Sequence, residues 1–169
     1  MSDTTDDAGL IPVRDAHRFD EAALASYLRG KIDGAAKPLT VQQFHGGQSN
    51  PTFVLSFGNE DYVLRKKPPG ELLPSAHAVE REYRVQKALA GTGLPLAEMY
   101  LLCEDDAVIG TPFYAMERKR GRVYHTMVPE DMAPADRGAV YEEMARCLAI
   151  LHTVDPEAVG LADFGRPGS

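Results

Sequence analysis

The stretch FHGGQSNPTFVLSFGNEDYVLRKK, Phe44 to Lys67, decides how this chain is read. Gly46 and Gly47 lie among small polar residues between β-prone segments, and Arg65-Lys66-Lys67 closes the last of them. Thr52 to Phe57 alternates, with Phe53, Leu55 and Phe57 on one face, and Tyr62 to Lys67 follows the turn signal Gly58-Asn59. These two segments make a hairpin that Pro68-Pro69-Gly70 ends. Because glycine has no Cβ, the backbone at Gly46 and Gly47 can turn sharply and approach a ligand. Backbone N–H groups and the side chains of Ser49, Asn50 and Thr52 can then donate to anionic oxygens, which makes a phosphate cradle. The spacing is neither GxxxxGK[ST] nor GxGxxG, and a plain hairpin turn without a ligand fits the same residues.

Working outward, Leu39 to Phe44 reads as a strand leading into the loop. Asp20 caps a helix through Arg29, with Gly30 as terminator, and residues 1–18 read as a flexible arm rich in Asp, Thr and Gly. Ser75 is the expected N-cap of a helix from Ala76 to Ala90 that Gly91 ends. Strands follow at Glu98–Cys103 and Phe113–Glu117, separated by the turn-like Glu104-Asp105-Asp106. Pro134 suits the first turn of a last helix to about His152. The expected fold class is α+β: an antiparallel sheet with one main helix, then a linker and the opening of a helical lobe.

Composition is that of a globular chain: 169 residues, 44% hydrophobic and 25% charged. A net charge of −7 argues against nucleic acid as a partner. Within that acidic background, Arg65-Lys66-Lys67 and Arg118-Lys119-Arg120-Gly121-Arg122 read as local anion sites or solvated charge. Cys103 and Cys147 form neither a metal spacing nor a disulfide framework. No apolar run is long enough to span a membrane, and the acidic start is unlike a signal peptide. These features predict a cytoplasmic protein without a membrane partner; oligomeric state is not readable.

Two side chains connect the hairpin to chemistry. Period two places Val63 and Arg65 on one strand face. On the helix that follows, Glu82 shares a face with Val79, Val85 and Leu89, whereas Glu80 lies beside Arg84 and Lys87 on a solvated face. A half-buried Glu82 needs a cation, and Arg65 is the expected partner unless Glu82 reaches water at the rim. With a nucleotide under the loop, Val63 would meet the base and Arg65 the phosphates.

The segments FHGGQSNPTF (44–53), YVLRKKPPG (62–70), AHAVEREYRVQKAL (76–89), GTPFYAMERKRGRVY (110–124) and LAILHTVDPEAVGL (148–161) resemble the aminoglycoside phosphotransferase-like family, which has a protein-kinase-like fold. Residues 62–89 are most similar to the kinase-like domains of acyl-CoA dehydrogenase fusion proteins, understood to phosphorylate 4-hydroxyacyl-CoA. The resemblance implies an ATP- and Mg²⁺-dependent transfer of phosphoryl to a small-molecule hydroxyl, hydroxyacyl-CoA-like or aminoglycoside-like. It implies a nucleotide-binding lobe over 19–117, a hinge at 118–122 and a helical lobe opening over 123–169. Gly46, Gly47, Gln48, Ser49 and Asn50 would cover the triphosphate, and Arg65 would replace the usual strand Lys, with Glu82 as its partner. Met116, Glu117 and Arg118 would form the hinge segment, its backbone on the adenine edge and Met116 behind the base.

The family's catalytic loop, of HGDxxxxN type, and its later DW-like metal motif do not occur in these 169 residues. The catalytic Asp and the Mg²⁺ ligands are therefore expected downstream, and this stretch alone is expected not to turn over. A non-catalytic, pseudokinase-like nucleotide module is the alternative. Asp163-Phe164-Gly165 spells a kinase metal triplet, but no catalytic loop precedes it, so it reads as a loop coincidence.

Overall fold

The computed structural model describes residues 9–46, 50–70, 77–122 and 132–165. Strands β1 (Leu10–Ile11), β2 (Leu39–Phe44), β3 (Thr52–Phe57), β4 (Glu60–Lys66), β5 (Met99–Cys103) and β6 (Phe113–Glu117) form one sheet in the order β1-β2-β3-β4-β6-β5. Every neighbouring pair is antiparallel. Helices α1 (Glu21–Leu28), α2 (Val79–Ala88), the short α3 (Asp106–Ile109) and α4 (Pro134–Thr153) complete an α+β architecture.

Alternation assigns the two sheet faces. Phe53, Leu55, Phe57, Tyr62, Leu64 and Phe113 point one way and pack with Leu24 and Leu28 of α1 and Ile109 of α3. Burying side chains of this size gives about 1.5–3 kcal/mol each, so this face is the main core. On the opposite face Tyr114 and Met99 pack with Val79 of α2. The hairpin of β3 and β4 turns at Gly58, whose φ of +69° is one that L side chains rarely adopt.

The expected cap at Asp20 is present, its Oδ1 accepting from the Ala23 N–H at 2.8 Å. Three expectations change. The arm placed at 1–18 is structured from residue 9: β1 pairs with β2, the Gln43 side chain accepts from the Arg14 N–H at 3.0 Å, and Asp15–His17 form a 3-10 turn. The cause is the free edge of β2, whose backbone groups need partners. The main helix starts at Val79, not Ala76, because His77 has φ +59°, a left-handed conformation no α-helix accommodates. Ala78 takes the N-cap position without a side-chain bond; Ser75 lies outside the described residues. Finally, the Glu104–Asp106 turn leads into α3, capped by Asp105 Oδ1 on the Ala107 N–H at 2.9 Å.

Candidate functional site

Strand register builds two rungs across the sheet face that carries α2. Thr52 pairs with Arg65, and Arg65 with Tyr114; one step along, Val54 pairs with Val63, and Val63 with Met116. Cross-strand partners share a face, so a polar, cationic rung lies about 7 Å from an apolar one. Val54 and Val63 are almost fully covered, while Met116 is half-buried.

Glu82 of α2 reaches this face and gathers its polar groups. Arg65 Nε lies 2.9 Å from Glu82 Oε2, a charge contact rather than an aligned hydrogen bond, and Arg65 Nη2 donates to Oε1 at 3.5 Å. Tyr114 donates its hydroxyl to Oε2 at 3.0 Å, and Asn50 Nδ2 donates to Oε1 at 2.8 Å. Burial, then the Glu82 carboxylate, holds the Tyr114 phenol well above its ordinary range, so it stays a donor. The ion pair expected between Arg65 and Glu82 is therefore present, at about one-third exposure on each side chain.

Asn50 is not where the cradle reading put it. Its side chain is 2% exposed and turned inward, with Oδ1 facing His77 Nδ1 at 3.0 Å. A buried amide seeks internal partners, and Glu82 and His77 satisfy it, so it is not presented as a phosphate donor. Thr52 likewise donates its hydroxyl to the Asn50 carbonyl at 3.1 Å. Gly46 is exposed, and a Cβ there would meet nothing within 4 Å, so the fold itself does not require glycine at this position. Gly47, Gln48 and Ser49 lie outside the described residues.

The basic clusters also resolve differently from two anion patches. Alternation splits the first: Arg65 faces Glu82, Lys66 turns to the opposite face and is 4% exposed, and Lys67 pairs with Glu80 at 3.0 Å. Burial lowers the Lys66 ammonium pKa below its ordinary range. Glu80 thus pairs across the fold rather than with Arg84. In the linker, Arg118 and Arg120 both bond Asp61, at 2.8 and 2.6 Å, and Ser56 donates to the same carboxylate at 2.7 Å. The Arg118 side chain is only 6% exposed, turned toward the β3–β4 hairpin.

The Glu117 N–H donates to the Glu98 carbonyl at 2.8 Å, so a base edge would have to use other backbone groups of this segment. Lys119, aided by the Glu98 N–H, holds the Glu117 carboxyl below its usual range.

Asp163-Phe164-Gly165 docks on the outside of α2. Asp163 bonds both Arg84 Nη atoms, and Arg81 lies 4.1 Å over the Phe164 ring while donating to the Phe164 carbonyl at 2.8 Å. Arg84 sits about 200° around the helix from Glu82, so the triplet is remote from the rungs. Among the described residues no group of three or more His, Cys, Asp or Glu could hold a metal ion.

Sequence reasoning missed three participants. Tyr114 carries no local signal, because its place beside Arg65 depends on the β4–β6 register. His77 stands alone in the sequence, and its partner Asn50 is 27 residues away. Asp61 carried one readable signal, its position across the hairpin turn from Ser56.

A family model described as phosphotransferase enzyme family matches residues 40–169. Acyl-CoA dehydrogenase family member 11 of Rattus norvegicus is 42% identical over 169 residues, covering 98% of this chain and 21% of the relative. The protein of the same name from Gallus gallus is 47% identical over 165 residues, covering 95% of this chain and 21% of its own length. A crystal structure of a provisionally assigned aminoglycoside phosphotransferase from Ralstonia eutropha JMP134 matches with a TM-score of 0.76 and 51% identity, over 89% of this chain and 43% of that one. The chain thus spans about a fifth of the length of these curated relatives, 21% in each case.

Proposed function

Since the chain belongs to the phosphotransferase enzyme family, we propose that the α2 face of its sheet binds ATP and presents its phosphates for transfer to a small-molecule hydroxyl. The observation that carries this reading is the pair of rungs: an apolar strip of Val54, Val63 and Met116 beside a cation, Arg65, held by Glu82. Met116, the half-buried end of the strip, offers apolar surface to a flat heterocycle over the buried Val54 and Val63, and the spacing to Arg65 suits the phosphates attached through a ribose. Arg65 is charged at any working pH and can meet two phosphate oxygens at once, so it orients the group as well as attracting it.

ATP supplies the transferable phosphoryl group. Residues on this chain would bind and orient it: Met116, backed by Val63, would meet the base, and Arg65 would contact phosphate oxygens. The described residues do not fit Mg²⁺, since no acidic group of the needed size is gathered on them; no step is assigned to a metal here. We expect the 169-residue chain to bind nucleotide without turning it over. For the acceptor, the likeness to acyl-CoA dehydrogenase family member 11 favours a hydroxyacyl-CoA-type hydroxyl over an aminoglycoside.

The test is calorimetric titration of the chain with ATP, then with Arg65→Ala and Glu82→Ala. Losing a charge-assisted phosphate contact of about 1.5–3 kcal/mol should weaken binding roughly ten- to a hundredfold for Arg65→Ala. Glu82→Ala should weaken it less, because Arg65 remains but is no longer aimed. Unchanged affinity in both variants would remove the site from this face.

A further inference from the structure

Asn50 is one of three polar or charged residues that are buried among those described, with Gln43 and Lys66. Its orientation is fixed by chemistry. An ionised carboxylate only accepts, so the amide NH₂ must face Glu82 Oε1, at 2.8 Å. The amide oxygen then faces His77 Nδ1 at 3.0 Å, and that nitrogen must carry the hydrogen. The reverse orientation would set acceptor against acceptor at Glu82.

His77 is the only non-glycine residue at positive φ among those described, at +59°. For histidine this backbone is unfavourable, and it persists only where surroundings over-determine it. Here it accompanies a ring set beside Asn50, just before α2 begins.

The two Glu82 oxygens divide their neutral donors. Oε1 takes Asn50 and Oε2 takes Tyr114, which together fix the plane of the carboxylate. Arg65 then meets a carboxylate already oriented, with Nε at 2.9 Å. Glu82 is 33% exposed, so without those donors its side chain has solvent-facing rotamers available.

We propose that Asn50 is a positioning residue: its inward-turned amide, held by His77, orients Glu82 and through it the Arg65 guanidinium. The root of the glycine loop and the first turn of α2 thereby set the direction of the phosphate-facing cation. The phosphate-facing part rests on the ATP reading above; the orientation of Arg65 does not. Asparagine is the residue type this requires. Aspartate would place a second carboxylate against Glu82, and alanine or serine would not reach both partners.

Two readouts test the proposal, on the full 169-residue chain. The first needs no nucleotide: hydrogen exchange of the Arg65 Nε–H, assigned by its loss in Arg65→Lys. Asn50→Ala should speed that exchange about tenfold, equivalent to roughly 1.4 kcal/mol of lost restraint, and Asn50→Asp should speed it more. The second compares ADP with adenosine. Asn50→Ala should weaken ADP about tenfold and leave adenosine unchanged, and it should add little in an Arg65→Ala background.

His77→Gly guards against misfolding, because glycine relieves the backbone while removing the ring; it should shift both readouts the same way, by about threefold. Wild-type Arg65 exchange in Asn50→Ala and His77→Gly would overturn the proposal, as would equal losses of ADP and adenosine affinity. A wild-type chain that binds neither ligand would defeat the ATP reading, while the exchange measurement would still decide the role of Asn50.

Discussion

Replacing Glu82 by alanine should destabilise the chain by removing an acceptor rather than by opening the apolar core. The carboxylate takes hydrogen bonds from Asn50 at 2.8 Å and Tyr114 at 3.0 Å. Asn50 is 2% exposed and Tyr114 1%, so neither donor can turn to bulk water. Each stranded buried donor costs about 1–3 kcal/mol. Arg65 is 31% exposed and rehydrates, so loss of the ion pair itself adds less than about 1 kcal/mol. A water entering the vacated space recovers part of the loss, which leaves about 2–4 kcal/mol. For a chain of this size that corresponds to roughly 5–15 °C in Tm. Glu82→Gln keeps the volume and one acceptor and should fall about midway. The chain has no tryptophan, so urea unfolding is best followed by far-ultraviolet circular dichroism. Tyr114→Phe alone should cost about 1 kcal/mol and should be nearly neutral in the Glu82→Ala background, where the hydroxyl no longer has its acceptor. A loss below about 0.5 kcal/mol for Glu82→Ala, or a strictly additive cycle, would refute the reasoning.

Three further outcomes follow from the same structure. Asp61→Ala removes the carboxylate shared by Arg118, Arg120 and Ser56; with Arg118 6% exposed it should cost about 3 kcal/mol and speed amide exchange over 117–120, and unchanged exchange there would count against Asp61 as the linker's anchor. Lys66→Met should raise the urea midpoint by up to about 1 kcal/mol of stability at neutral pH. Its ammonium pKa is lowered by burial in the folded chain, so the folded state carries a penalty that is relieved only as pH rises toward the unfolded value; a fall in the midpoint would contradict this. Tyr114 is raised by burial, and Tyr27 is raised to about 12 by its hydrogen bond with Cys103. Their contribution is fully present below the ordinary tyrosine pKa of about 10 and is lost as pH rises through the folded values. Stability should therefore decline above about pH 10, and Tyr114→Phe should flatten that decline when urea midpoints are compared across pH.

Much of the fold was legible because its signals are local. The β3–β4 hairpin announces itself through period-two alternation around Gly58-Asn59, and α1 through Asp20 and Gly30. The pairing of Arg65 with Glu82 was readable from two periodicities alone, since each places one charge on the face toward the other. What escaped is everything that depends on register between distant strands. The β6 strand inserts between β4 and β5, and only that insertion sets Tyr114 beside Arg65 and Met116 beside Val63. Glu80 shows the same limit on a helix. Spacing offers it Arg84, but an exposed i,i+4 pair gives only about 0.3–0.5 kcal/mol, too little to hold against tertiary partners. Lys67 takes Glu80 and Asp163 takes Arg84.

The two sides of α2 therefore differ in kind, and that difference says how the helix can move. Its inner face is tied through Glu82 to Asn50 and Tyr114, both nearly sealed from solvent, so displacing it strands buried donors. Its outer face meets residues 160–165 through Arg81 and Arg84, whose partners remain open to water: Arg84 is 45% exposed and Asp163 73%. Exposed pairs are screened and readily exchanged for water, so the outer contacts fix a preferred geometry while contributing little to stability. A change in the position of 160–165 can thus be absorbed at the outer face while Glu82 keeps its hold on Arg65. Asp163-Phe164-Gly165, which in sequence looks like a metal triplet, is held in this fold against the solvent-exposed side of α2 through Arg81 and Arg84.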